Sequence, residues 1–191
     1  RSKRIKMPMG GTTEYSNVTA MTSWADSFVT VRGTGLWYGD ELVGTVTAGS
    51  KQFAVVNTKL VIWPDKVYLD VENKTVVPLG ATVTSKATFT AGEITVSGID
   101  LTASFKAGDT VTVSGASTLK GNNKDIYIKS LTATTITTNA DSLEAGEDTV
   151  TITRRIPDLD FICESGNRLW GCSSSTKTIY ASALGDPTNF F

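Results

Sequence analysis

Residues 159–191, LDFICESGNRLWGCSSSTKTIYASALGDPTNFF, decide the fold, because apolar runs and turns follow one another in strict succession. Phe161-Ile162-Cys163 is apolar, Glu164-Ser165-Gly166-Asn167 is turn chemistry, and Leu169-Trp170-Gly171-Cys172 is a second run. A polar loop from Ser173 to Thr176 then precedes Thr178-Ile179-Tyr180-Ala181. This spacing predicts a three-strand meander. Residues 53–71 echo it: Phe53-Ala54-Val55-Val56, the turn Asn57-Thr58, Lys59-Leu60-Val61-Ile62-Trp63, the turn Pro64-Asp65, and Lys66-Val67-Tyr68-Leu69. A repeated meander is a unit that cannot bury both its faces alone and that stacks on neighbours of its own kind, as a β-propeller blade does. Strands packed on both sides become near-continuously apolar, which fits FAVV, LVIW and FIC. Two unrelated hairpins of one sandwich give the same pattern, so that alternative stays open.

Composition supports an all-β chain. Thr, Val, Ser and Gly are abundant, and Leu and Ala do not cluster at helical spacing. The formal net charge is −1, so no global field draws the chain to nucleic acid or anionic membrane. No apolar run reaches the eighteen or so residues of a membrane helix, and the N-terminus shows no signal-peptide pattern. The chain opens on Arg1 and stops at Phe191 just after a turn, so it is expected to be a piece of a longer protein.

Outward from the meanders, residues 1–14 carry four cations in the first six positions and read as an arm or one edge strand. Ser16 to Ser23 reads as a loop. Short strands joined by glycine turns follow: Ser27-Phe28-Val29-Thr30-Val31, Leu36-Trp37-Tyr38 and Glu41-Leu42-Val43. Residues 72–87 lead out of the second meander, and the texture then changes to alternating Thr and β-branched residues. Five period-two strands in residues 88–154 predict an inserted small β-barrel whose inward set is Ile94, Val96, Val111, Val113, Ile126, Ile128, Ile136, Val150 and Ile152. The domain plan is therefore 1–87 as propeller-like meanders, 88–154 as the barrel, and 155–191 as the meander's continuation.

Catalytic chemistry has little to work with. The chain has no histidine, which removes the commonest general base and transition-metal ligand together. Two cysteines make neither a structural zinc site nor a disulfide framework. With a two-residue turn at Gly166-Asn167, Cys163 lies opposite Trp170 and Cys172 opposite Phe161. The sulfurs are then diagonal neighbours, too far apart to bridge easily, and are expected as buried, reduced thiols. Gly33-x-Gly35 lacks both the third glycine and the helix of a dinucleotide loop. Asp158 and Asp160 share one strand face, but an acid–base pair needs convergence from separate elements, so they read as a charged strand edge or a loop pair. Glu164 and Arg168 are placed to pair across the hairpin. Trp24, Trp37, Trp63 and Trp170 have the chemistry to stack on sugars, although three of them lie inside apolar strands and read as core. No catalytic, cofactor or metal residue is assigned, and no cofactor is expected.

At Pro157-Asp158-Leu159-Asp160-Phe161, Asn167-Arg168-Leu169-Trp170-Gly171 and the phrase from Ile179 to Phe190, IYASALGDPTNF, the chain resembles a family of bacteriophage and prophage virion proteins. More distantly it is similar to the propeller-bearing nozzle or hub proteins of short phage tails. Residues 60–68 resemble the preceding blade, and 107–115 resemble barrel insertions of phage tail proteins. The resemblance covers roughly residues 50–191. It implies a non-enzymatic scaffold in the tail or head-to-tail region, made in a bacterial host's cytoplasm and located in the virion. Its expected partners are other virion proteins and further copies of itself, with no membrane and no nucleic acid. A carbohydrate-binding or host-attachment module is the alternative, with the barrel as reader, although the barrel's aromatics Phe89, Phe105 and Tyr127 are few. The meanders supply about three blades, fewer than the four to eight of a closed propeller, so an open ring is expected with Phe28, Trp37, Phe190 and Phe191 at its uncovered ends.

Overall fold

The computed structural model describes residues 3–6, 12–70, 72–139 and 142–190. Among these the chain forms twenty strands and two single-turn 3-10 helices. It is all-β. Strands β1 (Lys3–Lys6) and β2 (Thr12–Tyr15) pair as an antiparallel hairpin, so the basic N-terminal segment is two strands and not one. Phe191 and residues 1, 2 and 7–11 of the expected arm lie outside the described residues.

The first unit holds residues 1–78 and 159–179. In it β3 (Val18–Trp24), β4 (Ser27–Arg32), β5 (Gly35–Tyr38) and β6 (Glu41–Thr45) make one up-and-down sheet. A second contains β7 (Gln52–Val56), β8 (Lys59–Trp63), β9 (Val67–Asp70) and β10 (Thr75–Pro78). The segment expected as a loop, Ser16 to Ser23, is largely β3, because Val18, Ala20, Thr22 and Trp24 alternate inward against exposed neighbours. The second meander has a fourth strand, β10, where the sequence suggested an exit.

These two sheets share one core. Val29, Val31, Leu36, Leu60, Ile62 and Leu69 are all fully buried in it. Approach is close enough that a Cβ on Gly44 would lie 2.4 Å from the Val76 side chain, so only glycine fits there. Strand β8 is buried along Leu60, Val61, Ile62 and Trp63, as its unbroken apolar run requires.

The second unit spans residues 79–158 and 180–191. Strands β11 (Ala81–Thr90), β12 (Glu93–Val96), β13 (Thr110–Ser114), β14 (Asp125–Leu131), β15 (Thr135–Thr138) and β16 (Gly146–Arg154) close into a barrel in the order β11-β12-β15-β14-β13-β16. All nine residues of the expected inward set lie in its core, none more than 3% exposed. The barrel starts at Ala81, upstream of the 88 drawn from sequence, and has six strands where the sequence suggested five. β11 closes the ring by pairing with both β12 and β16, and its inward residues include the small Ala81 and Ala87 and the polar Ser85, which carry little hydrophobic signal. At the neck of the insertion Ala81 is the register partner of Arg154.

The remaining strands, β17 (Phe161–Ser165), β18 (Arg168–Ser173), β19 (Thr178–Ala183) and β20 (Asp186–Phe190), follow in the same up-and-down order as the two earlier meanders. The echo between the two halves extends to backbone conformation. Asn57 and Asn167 are left-handed at φ 55° and 57° in the hairpins β7–β8 and β17–β18. Lys66 and Lys177, each immediately before the third strand of its meander, both have φ 55°. Side chains with a Cβ disfavour that region, so its recurrence at matching positions reflects matching turns.

Candidate functional site

Two surfaces carry chemistry, one in each unit. The first is the outer face of the β17–β18 hairpin. Gly166 (φ 61°) and Asn167 (φ 57°) form the two-residue turn, and the expected register holds, with Phe161 opposite Cys172 and Cys163 opposite Trp170. Side chains alternate along a strand, so these four share one face. That face is open: Phe161 is 68% exposed, Trp170 37%, and both free thiols are exposed. The expectation of buried cysteines is thus corrected, and so is that of a two-sided apolar strand at FIC, because only the opposite face packs inward. On it Leu169 is fully buried, and a Cβ on Gly171 would lie 2.4 Å from Leu159 Cδ1 and 2.8 Å from the Phe161 carbonyl oxygen.

The hairpin is tied to β7 by one side chain. Gln52 Nε2 donates to the Asp160 carbonyl at 2.8 Å, while its Oε1 accepts the Ile162 N–H at 2.8 Å. The amide thereby supplies both halves of a missing ladder rung between two strands. Asn57 N–H donates to Asn167 Oδ1, and the buried Trp63 donates its indole N–H to the Leu159 carbonyl at 2.7 Å. Trp63 is therefore core, as expected. Trp24 and Trp37 are half-buried, and the Arg32 guanidinium lies 4.6 Å from the Trp37 ring centre.

The second surface is a groove of about 530 Å³ in the barrel unit. One wall is the outside of the barrel, where Thr110 and Thr112 of β13 stand opposite Tyr127 and Asp125 of β14. Thr112 donates its hydroxyl to Asp125 Oδ1 at 2.5 Å, which orients that carboxylate. The floor is the segment after β16, including Arg155 and Asp158. The other wall carries Tyr180 and Phe190, both half-buried. Phe190 pairs with Ser182, so Tyr180, two residues before Ser182, shares its face.

A polar clamp sets the distance between the walls. Lys106 forms an ion pair with Asp186 and donates to Thr188 Oγ1 at 2.9 Å, and Asn189 Nδ2 donates to the Gly108 carbonyl at 2.9 Å. Burial pushes the Asp186 carboxyl up, but Lys106 and the Thr188 hydroxyl and N–H outweigh it and hold the group below the usual carboxylate range. Beneath the clamp, Arg154 donates Nη1 to Asp109 Oδ2 at 2.8 Å and to the Ser104 carbonyl at 3.0 Å, with Nη2 on the Leu79 carbonyl at 3.1 Å. Asp109 is fully buried, so this pair locks the 104–109 loop against the barrel end.

The structure separates the residues that the sequence singled out as possible chemistry. Asp158 lines the groove floor, whereas Asp160 belongs to the first unit and accepts the Ser174 N–H at 2.6 Å, which holds its carboxyl low. Glu164 caps its own turn by accepting the Asn167 N–H at 2.8 Å. Phe89 and Phe105 are buried in the barrel core, so only Tyr127 of the barrel aromatics reaches its surface. Tyr180 and Phe190, which line the groove, went unmarked in the sequence because they arrive from the far end of the chain. Of the residues expected at open ends, Phe28 and Trp37 are half-buried and Phe190 lines the groove; Phe161, Trp170 and Ile179 (75% exposed) stand out instead. Among the described residues no cluster of three or more His, Cys, Asp or Glu is placed to hold a metal ion, and no helix is long and apolar enough to cross a membrane.

Comparisons with protein-family models, with curated proteins and with solved structures find no match.

Proposed function

We propose that the chain is a non-enzymatic structural component of a phage or prophage virion, in the tail or head-to-tail region, acting through protein–protein surfaces. The observation that carries this reading is the open outer face of β17–β18, with Phe161 68% and Trp170 37% exposed. In the first unit the sheets of β3–β6 and β7–β10 bury a common core. The sheet beginning at β17 has the same up-and-down order, yet leaves large apolar side chains in water. Such a face gains free energy when another surface covers it. The resemblance of residues 157–171 and 179–190 to virion proteins supports placing that surface in a particle, on another virion protein or a second copy of this chain.

The test is mass spectrometry of purified particles released on prophage induction from the source strain, combined with sedimentation velocity of the wild-type chain and Phe161→Asp. The chain should be present in particles, and the wild type should associate with rising concentration more strongly than the variant. Particles free of the chain would refute the virion assignment. A wild type that stays monomeric and identical to Phe161→Asp would remove the role of the face.

A further inference from the structure

Beyond the open hairpin face, the groove of the barrel unit has the make-up of a small-ligand site. Its volume of about 530 Å³ falls within the roughly 300–1,000 Å³ typical of ligand pockets. Its two walls are chemically different. Tyr180 and Phe190 share one face of β19–β20 and offer flat apolar surface, while Thr112 and Asp125 on the barrel side, with Arg155 and Asp158 below, offer hydroxyl, carboxylate and guanidinium groups.

The charges narrow the ligand class. Two carboxylates and one guanidinium give a rim without excess positive charge, which disfavours phosphate, nucleic acid and other polyanions. β13 is hydrogen-bonded on both sides, to β14 and to β16, so the barrel wall presents no free strand edge on which a peptide would extend. A sugar ring has an apolar face that stacks on an aromatic side chain and an equatorial rim of hydroxyls that pair with planar carboxylate and guanidinium groups. Both halves of that requirement meet across this groove. The side chains are also held in advance: Thr112 fixes Asp125, and the Lys106–Asp186 and Asn189–Gly108 contacts fix the aromatic wall.

We propose that this groove binds a neutral oligosaccharide, with Tyr180 and Phe190 stacking on a sugar face and Asp125, Arg155 and Asp158 hydrogen-bonding its hydroxyls. Sugar binding here is independent of particle assembly through β17–β18, and either role stands if the other fails.

The experiment is saturation-transfer NMR on the full chain with cellotriose, maltotriose and tri-N-acetylchitotriose, each at about 10 mM, followed by titration for Kd. At least one trisaccharide should receive saturation, with Tyr180→Ala and Asp125→Ala each weakening it about tenfold or more. Asp125 is exposed, so Asp125→Ala keeps the wild-type melt and separates lost binding from lost folding. Trp170→Ala, at an exposed aromatic of the first unit that does not line the groove, should leave Kd unchanged. Absence of transfer to all three sugars overturns the proposal. So does binding that survives both Tyr180→Ala and Asp125→Ala, or that is lost equally in Trp170→Ala.

Discussion

Replacing Asp109 with alanine tests the account of the barrel end most directly. Asp109 is fully buried, and Arg154 is 11% exposed at its side chain. Asp109→Ala strands the guanidinium with only the Leu79 and Ser104 carbonyls and removes the acceptor of the Lys106 N–H, which the wild-type carboxylate holds at 3.1 Å. Removing one partner of a buried ion pair costs about 3–5 kcal/mol. For a unit in the 60–100-residue range, each kcal/mol lowers the melting temperature by about 4–8 °C, so the barrel transition should fall by something on the order of 10–40 °C. The assay is differential scanning calorimetry of the wild type, Asp109→Ala, Arg154→Met and the double variant. The double variant should lose less than the sum of the singles, because no charge is then left buried without a partner. A melting temperature for Asp109→Ala within about 4 °C of wild type, or strict additivity in the double variant, would show that the pair does not hold the loop.

Three further outcomes follow from other contacts. Lys51 and Asp65 form an ion pair at 2.6 Å with side chains 1% and 6% exposed; burial raises the Asp65 carboxyl, but Lys51 and the Thr47 N–H outweigh it and hold the pKa below its ordinary value. Its stabilising contribution is therefore full above the unfolded carboxylate value of about 4 and is lost as pH falls through the lower folded value, so the gap between the urea midpoints of wild type and Asp65→Asn should narrow progressively as pH falls below about 4; a constant gap contradicts this. Gly171→Ala should cost about 1–3 kcal/mol in a denaturant titration, because its Cβ meets Leu159 at 2.4 Å and the Phe161 carbonyl oxygen at 2.8 Å; a neutral result would mean the hairpin sits further from residue 159. Both Cys163 and Cys172 should react with Ellman's reagent in the native protein, since both are exposed and free, and reaction only after unfolding would place the hairpin's outer face under cover.

Where alternation was strong and the alternating residues were large, the sequence reported the structure faithfully. The barrel interior, from Ile94 to Ile152, and the register of β17 against β18 are of this kind, because a slip of one residue would turn every buried side chain outward. Elements built from small or polar residues were harder to read. β3 alternates Val18, Ala20, Thr22 and Trp24 with the exposed Thr19, Met21 and Ser23, and β11 fills much of its inner face with alanine and serine, so both carry weak hydrophobic contrast although both are paired along most of their length. Exposure of Phe161 was invisible for another reason: an apolar run does not say which of its faces finds a neighbour. The groove was least legible, since residues 110–125, 155–158 and 180–190 meet only through the fold.

The pairing of Ala81 with Arg154 has a consequence for how such a chain changes over time. Entry to and exit from the barrel lie side by side, about 5 Å apart as for any directly paired residues of an antiparallel ladder. A tight turn would cross that gap, and so would a different domain whose ends are adjacent. The segment between Ala81 and Arg154 can therefore be shortened to a turn or replaced by another domain with adjacent ends while the strands that flank it keep their register.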